Sequence, residues 1–236
     1  MKKLTKFIAL FSFAVLLLTD AHAQSAVAGS WLEDNVIFEL IGQVKNTPSA
    51  GPGLPATSVQ YGYLPYVNGL RDDQTFAPGM VQNETTALFT FYNESKTLRV
   101  VPHGRWVIIT REGTSTIYYH DAPHGDLTTP NPDSFRDGLP VQTSSWRHQV
   151  IFEPAPSGLF FVTFINTITS SAPVMVGGET VRLGKAGDRF RISLTGGPDP
   201  AGLVNGKFVG NAIAIAATES DSKRQSRDDR ITMRVP

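Results

Sequence analysis

The densest run of side chains able to do chemistry is His120-Asp121-Ala122-Pro123-His124-Gly125-Asp126. It puts two imidazoles and two carboxylates within seven residues. Neutral imidazole and carboxylate oxygen are ordinary ligands for zinc and other divalent ions, so His120, His124 and Asp126 form the candidate metal set. The spacing fits no helical metal motif, because Pro123 breaks any helix that would align the two histidines. The competing reading is a polar loop held by Asx turns. A divalent metal is the one cofactor these residues suggest.

His148 is the second candidate. In an extended strand it shares a face with Trp146, Val150 and Phe152, while Arg147 points the other way. An imidazole on such a face inside a barrel is a titratable group in an apolar cavity, the setting in which acid or base catalysis arises. The alternative is a core histidine satisfied by a backbone carbonyl. Tyr61, Tyr63 and Tyr66 fall within six residues. With Trp146 they make a candidate ligand-contacting set at a barrel mouth, since an aromatic body with a polar tip suits that place. Packing within an early hairpin is an equal reading of the tyrosines.

Other chemistries are excluded by composition or spacing. The 236 residues contain no cysteine, which removes disulfides, thiolate metal sites and a cysteine nucleophile. Lys185 follows Gly184, but Ala186 stands where a phosphate-binding loop needs Ser or Thr. No Gly-x-Ser-x-Gly elbow occurs. Lys and Arg total 21 against 21 for Asp and Glu, so there is no global basic charge to hold nucleic acid.

The elements that must position these residues read as strands. Period-2 alternation and turn residues dominate beyond residue 30. Strands are expected at 31–44, 85–92, 97–101, 105–110, 114–120, 141–153, 159–169, 174–176, 180–183, 189–194 and 207–217. The polar stretches 93–96 and 111–113 are expected to be turns, and His103 a turn residue before Gly104. Segments 46–55 and 121–140 are proline-rich and expected to be irregular. The fold class is therefore all-β, a single antiparallel barrel of about 8–10 strands. A β-sandwich fits the same pattern, and closure favours the barrel because it leaves no exposed edges.

The N-terminus carries an address. Lys2, Lys3 and Lys6 precede an apolar run at 7–18, and Ala21 and Ala23 supply small residues at a cleavage site. Residues 1–23 thus read as a secretory signal peptide, residues 24–217 as a single β domain, and the charged segment 218–236 as a disordered tail. Removing three lysines and one aspartate leaves 18 basic against 20 acidic residues. Gly29-Ser30-Trp31 resembles the opening of lipocalin-type barrels, in which such a Trp closes one end. That resemblance spans three residues, and no functional residue is carried over from it.

The first functional expectation is an exported barrel, periplasmic or extracellular, that binds a small, largely apolar molecule. It has no membrane span after cleavage and no nucleic-acid partner. The second is a barrel enzyme (isomerase, cyclase or hydrolase) using His148 or the His120/His124/Asp126 cluster. The third is a non-catalytic envelope or surface interaction protein. Cleavage after Ala23 predicts Gln24 as the first residue of the exported protein, which N-terminal sequencing checks.

Overall fold

A computed structural model describes residues 36–128 and 131–215. The signal segment, Gly29-Ser30-Trp31 and the charged tail lie outside the described residues. The chain runs β1 (Phe38–Thr47), β2 (Thr57–Val67), a short helix α1 (Asp72–Thr75), β3 (Phe89–His103) and β4 (Trp106–Tyr119). A 3-10 turn (Pro132–Phe135) follows, then β5 (Leu139–Phe152), β6 (Phe160–Ser171), the short β7 (Val174–Val176) and β8 (Glu179–Val181), β9 (Arg189–Gly197) and β10 (Gly206–Ile215).

Eight of these strands form a closed antiparallel barrel in the order β1-β10-β9-β6-β5-β4-β3-β2. The barrel holds and the sandwich does not. β7 and β8 make a separate two-stranded hairpin. Among the described residues no helix is long and apolar enough to cross a membrane.

Alternation along each strand sets what lies inside. Reading across the hydrogen-bonded neighbours, Arg111 faces His148, His148 faces Phe164, Phe164 faces Ile192, Ile192 faces Ala212 and Ala212 faces Phe38. All six are buried. Phe91, Phe190 and Phe208 fill the space between such rungs. At the barrel waist only a gap of about 20 Å³ remains, beside Asn93 and Ser115. That is room for about one water.

Two expected turns are strand instead. Residues 93–96 continue β3 and residues 111–113 continue β4. Their polar side chains misled the reading because half of them point into the barrel, where Asn93 lies opposite Ser115 and Ser95 opposite Gly113. The chain reverses only at Gly104, whose φ of 59° suits glycine. The strand expected from residue 85 starts at Phe89, and Ala87 makes only an isolated bridge to Phe76.

Gly113 also serves packing. A β-carbon there would collide with the Glu94 carbonyl oxygen and come within 2.7 Å of the Trp146 ring. The indole therefore occupies the space that a side chain at 113 would need. Gly113→Val is expected to destabilise the protein by roughly 1–3 kcal/mol, as overpacking does. Urea unfolding checks this, and a variant of unchanged midpoint would refute the tight contact.

Candidate functional site

The barrel interior is more polar than a structural core requires. Ser58, Gln60, Asn93, Ser95, Arg111, Ser144, His148 and Asn166 are all buried. Part of this set is paired. Arg111 Nη1 donates to Ser58 Oγ at 2.6 Å and to Asn46 Oδ1 at 3.1 Å, and Asn93 Nδ2 donates to Gln60 Oε1 at 3.2 Å. The rest is not. Among the described residues, the buried side-chain polar atoms without a hydrogen-bond partner belong to Asn93, Thr97, Arg111, Trp146, His148 and Asn166. These six residues occupy neighbouring inward positions on β3, β4, β5 and β6, so one region of the barrel holds all of them.

Arg111 borders a cavity. About 320 Å³ opens at the end of the barrel where β5 leads into β6, walled by Val44, Ile109, Val150, Phe160, Val162 and Phe208. Asn46, Gln60, Arg111 and Asn205 supply its polar part. Arg111 is 8% exposed. No carboxylate among the described residues lies within ion-pair distance of it, and its Nε has no acceptor. Burial pulls its pKa below the ordinary arginine value, yet a guanidinium stays charged near neutral pH. A larger, open trough on the outer face is lined by Glu94, Lys96, Glu112 and Arg147. There Lys96 and Arg147 both pair with Glu112, so the trough offers a ligand less unsatisfied charge.

His148 sits one rung from Arg111 and is 3% exposed. Its ring stacks on Trp146 at 4.7 Å and meets the edge of Phe164 at 4.5 Å. Burial, aided by the Arg111 charge, pushes its pKa down to about 3. A group titrating there is neutral at pH 7 and poorly matched to proton transfer at that pH. In this setting it packs as an aromatic ring between Trp146 and Phe164.

The tyrosines lie elsewhere. Strand parity turns Tyr61, Tyr63 and Tyr66 to the outside of β2. Tyr61 packs on Phe135 and donates to Gln43 Oε1, and Gln43 Nε2 donates to the Leu127 carbonyl. Tyr63 packs on Phe76, and Tyr66 is exposed. Tyr61 and Tyr63 thus anchor the segments that cover this side of the barrel. They share no site with Trp146, which faces inward.

The loop they anchor carries the histidine cluster. His120 and His124 do come together, with ring centroids 5.9 Å apart. Their carboxylate is Asp137, not Asp126. Asp137 lies 2.9 Å from His124 Nε2 and 3.7 Å from His120 Nδ1. Asp126 instead accepts from the Thr128 backbone and hydroxyl, closing its own turn. The cluster sits where β4 ends and β5 begins, at the opposite end of the barrel from the cavity.

Comparison with known protein families, curated proteins and solved structures finds no match for this chain. Arg111 was hidden from sequence reasoning by the supposed turn at 111–113. The period-2 spacing from Ile109 to Arg111 was the one signal that it points inward. Asp137 gave no signal, since seventeen residues separate it from His120.

The depressed His148 pKa has a consequence for stability. Between about pH 3 and the unfolded value of about 6.5, the unfolded chain binds a proton that the folded chain does not. Stability should therefore fall on acidification through that window, by roughly 1 kcal/mol per pH unit from this group. His148→Phe is expected to flatten that part of the profile. Urea unfolding of both proteins from pH 7 to pH 4 checks it, and parallel profiles would refute it.

Proposed function

We propose that the barrel binds a small, largely apolar molecule carrying an acidic group, held in the mouth cavity with its anion on Arg111. The observation that carries this reading is a buried guanidinium that borders the cavity without a carboxylate partner. A buried charge is costly unless it is paired, and arginine pairs best with a carboxylate or phosphate. Apart from Asn46, Gln60 and Asn205, the remaining wall is aliphatic and aromatic, which suits a hydrocarbon body. A volume of about 320 Å³ is at the small end of ligand sites. The signal-like residues 1–23 support a place for this protein outside the cytoplasm, in the periplasm or the medium.

Octanoate and 1-octanol separate the two parts of the reading. Calorimetry is expected to show octanoate binding more tightly than octanol. Arg111→Met should weaken octanoate by roughly 10–100-fold, the worth of a hydrogen bond to a charged group, and leave octanol unchanged. Equal affinities in the parent protein would remove the anion from the proposal. Binding of neither probe would remove the cavity as a lipophilic site.

A further inference from the structure

We infer that His120, His124 and Asp137 bind a divalent transition-metal ion at the closed end of the barrel. The argument starts from the protons. Thr90 Oγ1 lies 2.8 Å from the Phe135 carbonyl and 2.9 Å from His120 Nε2. A carbonyl only accepts, so the single Thr90 proton goes to Phe135. Thr90 must then accept from His120, which places the imidazole proton on Nε2. His120 Nδ1 is left with a lone pair, and that lone pair faces Asp137 Oδ1 at 3.7 Å.

His124 also turns one nitrogen outward and the other to Asp137. Its Nδ1 donates to the Ala122 carbonyl at 3.2 Å, which again only accepts. The Asp137 carboxylate accepts as well, so Nε2–H donates to it at 2.9 Å in the metal-free protein, and a metal bound there would take the place of that proton. Each imidazole thus has one nitrogen held by an outer oxygen and the other aimed at the same carboxylate. That arrangement fixes tautomer and ring orientation in metal sites. The three donor atoms lie within 4.8 Å of one another. Bonds of about 2.0–2.2 Å to a metal ask for separations of about 3–3.5 Å, which a small contraction of the exposed His124 and Asp137 side chains supplies.

The fold explains the convergence. Tyr119 and Leu139 are partners on β4 and β5, so His120 and Asp137 flank one end of the same ladder. Gly138 makes room, because a β-carbon there would come within 2.7 Å of the His120 ring. Two imidazoles and one carboxylate favour zinc, cobalt, nickel or ferrous iron over magnesium or calcium. His120 is buried, whereas His124 and Asp137 are about half exposed. Three protein donors with a solvent side leave coordination positions for water or an outside ligand. This inference is independent of the mouth cavity.

The test uses untagged full-length protein, titrated with Zn(II) by calorimetry and with Co(II) by visible absorption. One equivalent is expected to bind. His124→Ala and Asp137→Asn should weaken it at least about tenfold, and Thr90→Val by about 10–100-fold as an outer partner. Asp126→Asn should bind as the parent does, and metal-free melting temperatures confirm that each variant is folded. Nitrogen-15 spectra of the metal-free protein should show the Nε2–H form of His120, with Nδ1 shifting on Zn(II) addition. Absence of stoichiometric binding, or affinity unchanged by Asp137→Asn, would overturn the site. So would a His120 proton found on Nδ1.

Discussion

The pairing of β1 with β10 closes the sheet, and closure decides what every other side chain can do. Seven rungs from Phe38–Ala212 to Val44–Gly206 join the first strand of the barrel to the last. Once the ring is complete, each strand has an inside and an outside, and a shift of one residue would exchange them. Closure also leaves no edge to protect, which matters for a chain without cysteine. The interior is then narrow enough that aromatic rings fill the waist. Among the described residues the larger interior cavity lies at the mouth, where Gly158, Gly196 and Gly206 stand near the Phe160 ring or the loop that follows β9.

Parity was the part of this arrangement that the sequence made legible. β5 and β6 could be read almost to their ends, because inward and outward residues alternate in β5 and β6 is a run of aromatic and β-branched residues, apolar on both faces near its start. The same rule failed in β3 and β4, where the inward residues are Asn93, Ser95, Arg111 and Ser115. Polar side chains usually mark solvent, so a polar interior resembles a turn. What broke the reading was thus the feature that now marks the candidate site. The tyrosines failed for a related reason. On the outward face of β2, Tyr61 and Tyr63 are buried against Phe135, Leu127 and Phe76, so apolar residues there say nothing about the inside.

The cluster was half legible. Nearness in sequence brought His120 and His124 to attention, and the same nearness suggested Asp126. The structure keeps the histidines and exchanges the acid, because a loop's ends meet through strand pairing whereas its middle is free to turn away. Asn131 Oδ1 accepts from the Asp133 backbone as the chain enters the 3-10 turn, and Phe135 is fully buried. Those two features return the chain to the barrel with Asp137 already beside His120. Gln43 of β1, Tyr61 of β2 and Thr90 of β3 hold this loop against the barrel.

The two places differ in what physics asks of a ligand. At the closed end, the Asp137 carboxylate accepts from His124 and faces His120 Nδ1, a donor set that would suit a cation. At the mouth, the Arg111 guanidinium has no carboxylate partner among the described residues, a setting that would suit an anion. Stability alone accounts poorly for either. Replacing a buried charge by an apolar residue of similar volume often strengthens a fold, so Arg111 inside an aliphatic wall is not what a barrel selected only to be stable would keep. Its hydrogen bonds to Ser58 and Asn46 offset part of the cost and also fix the direction of the guanidinium, with Nε left over. A charge held in one orientation at the boundary of an apolar space is preorganised for a partner of opposite sign, which reduces the entropy that partner must overcome on binding.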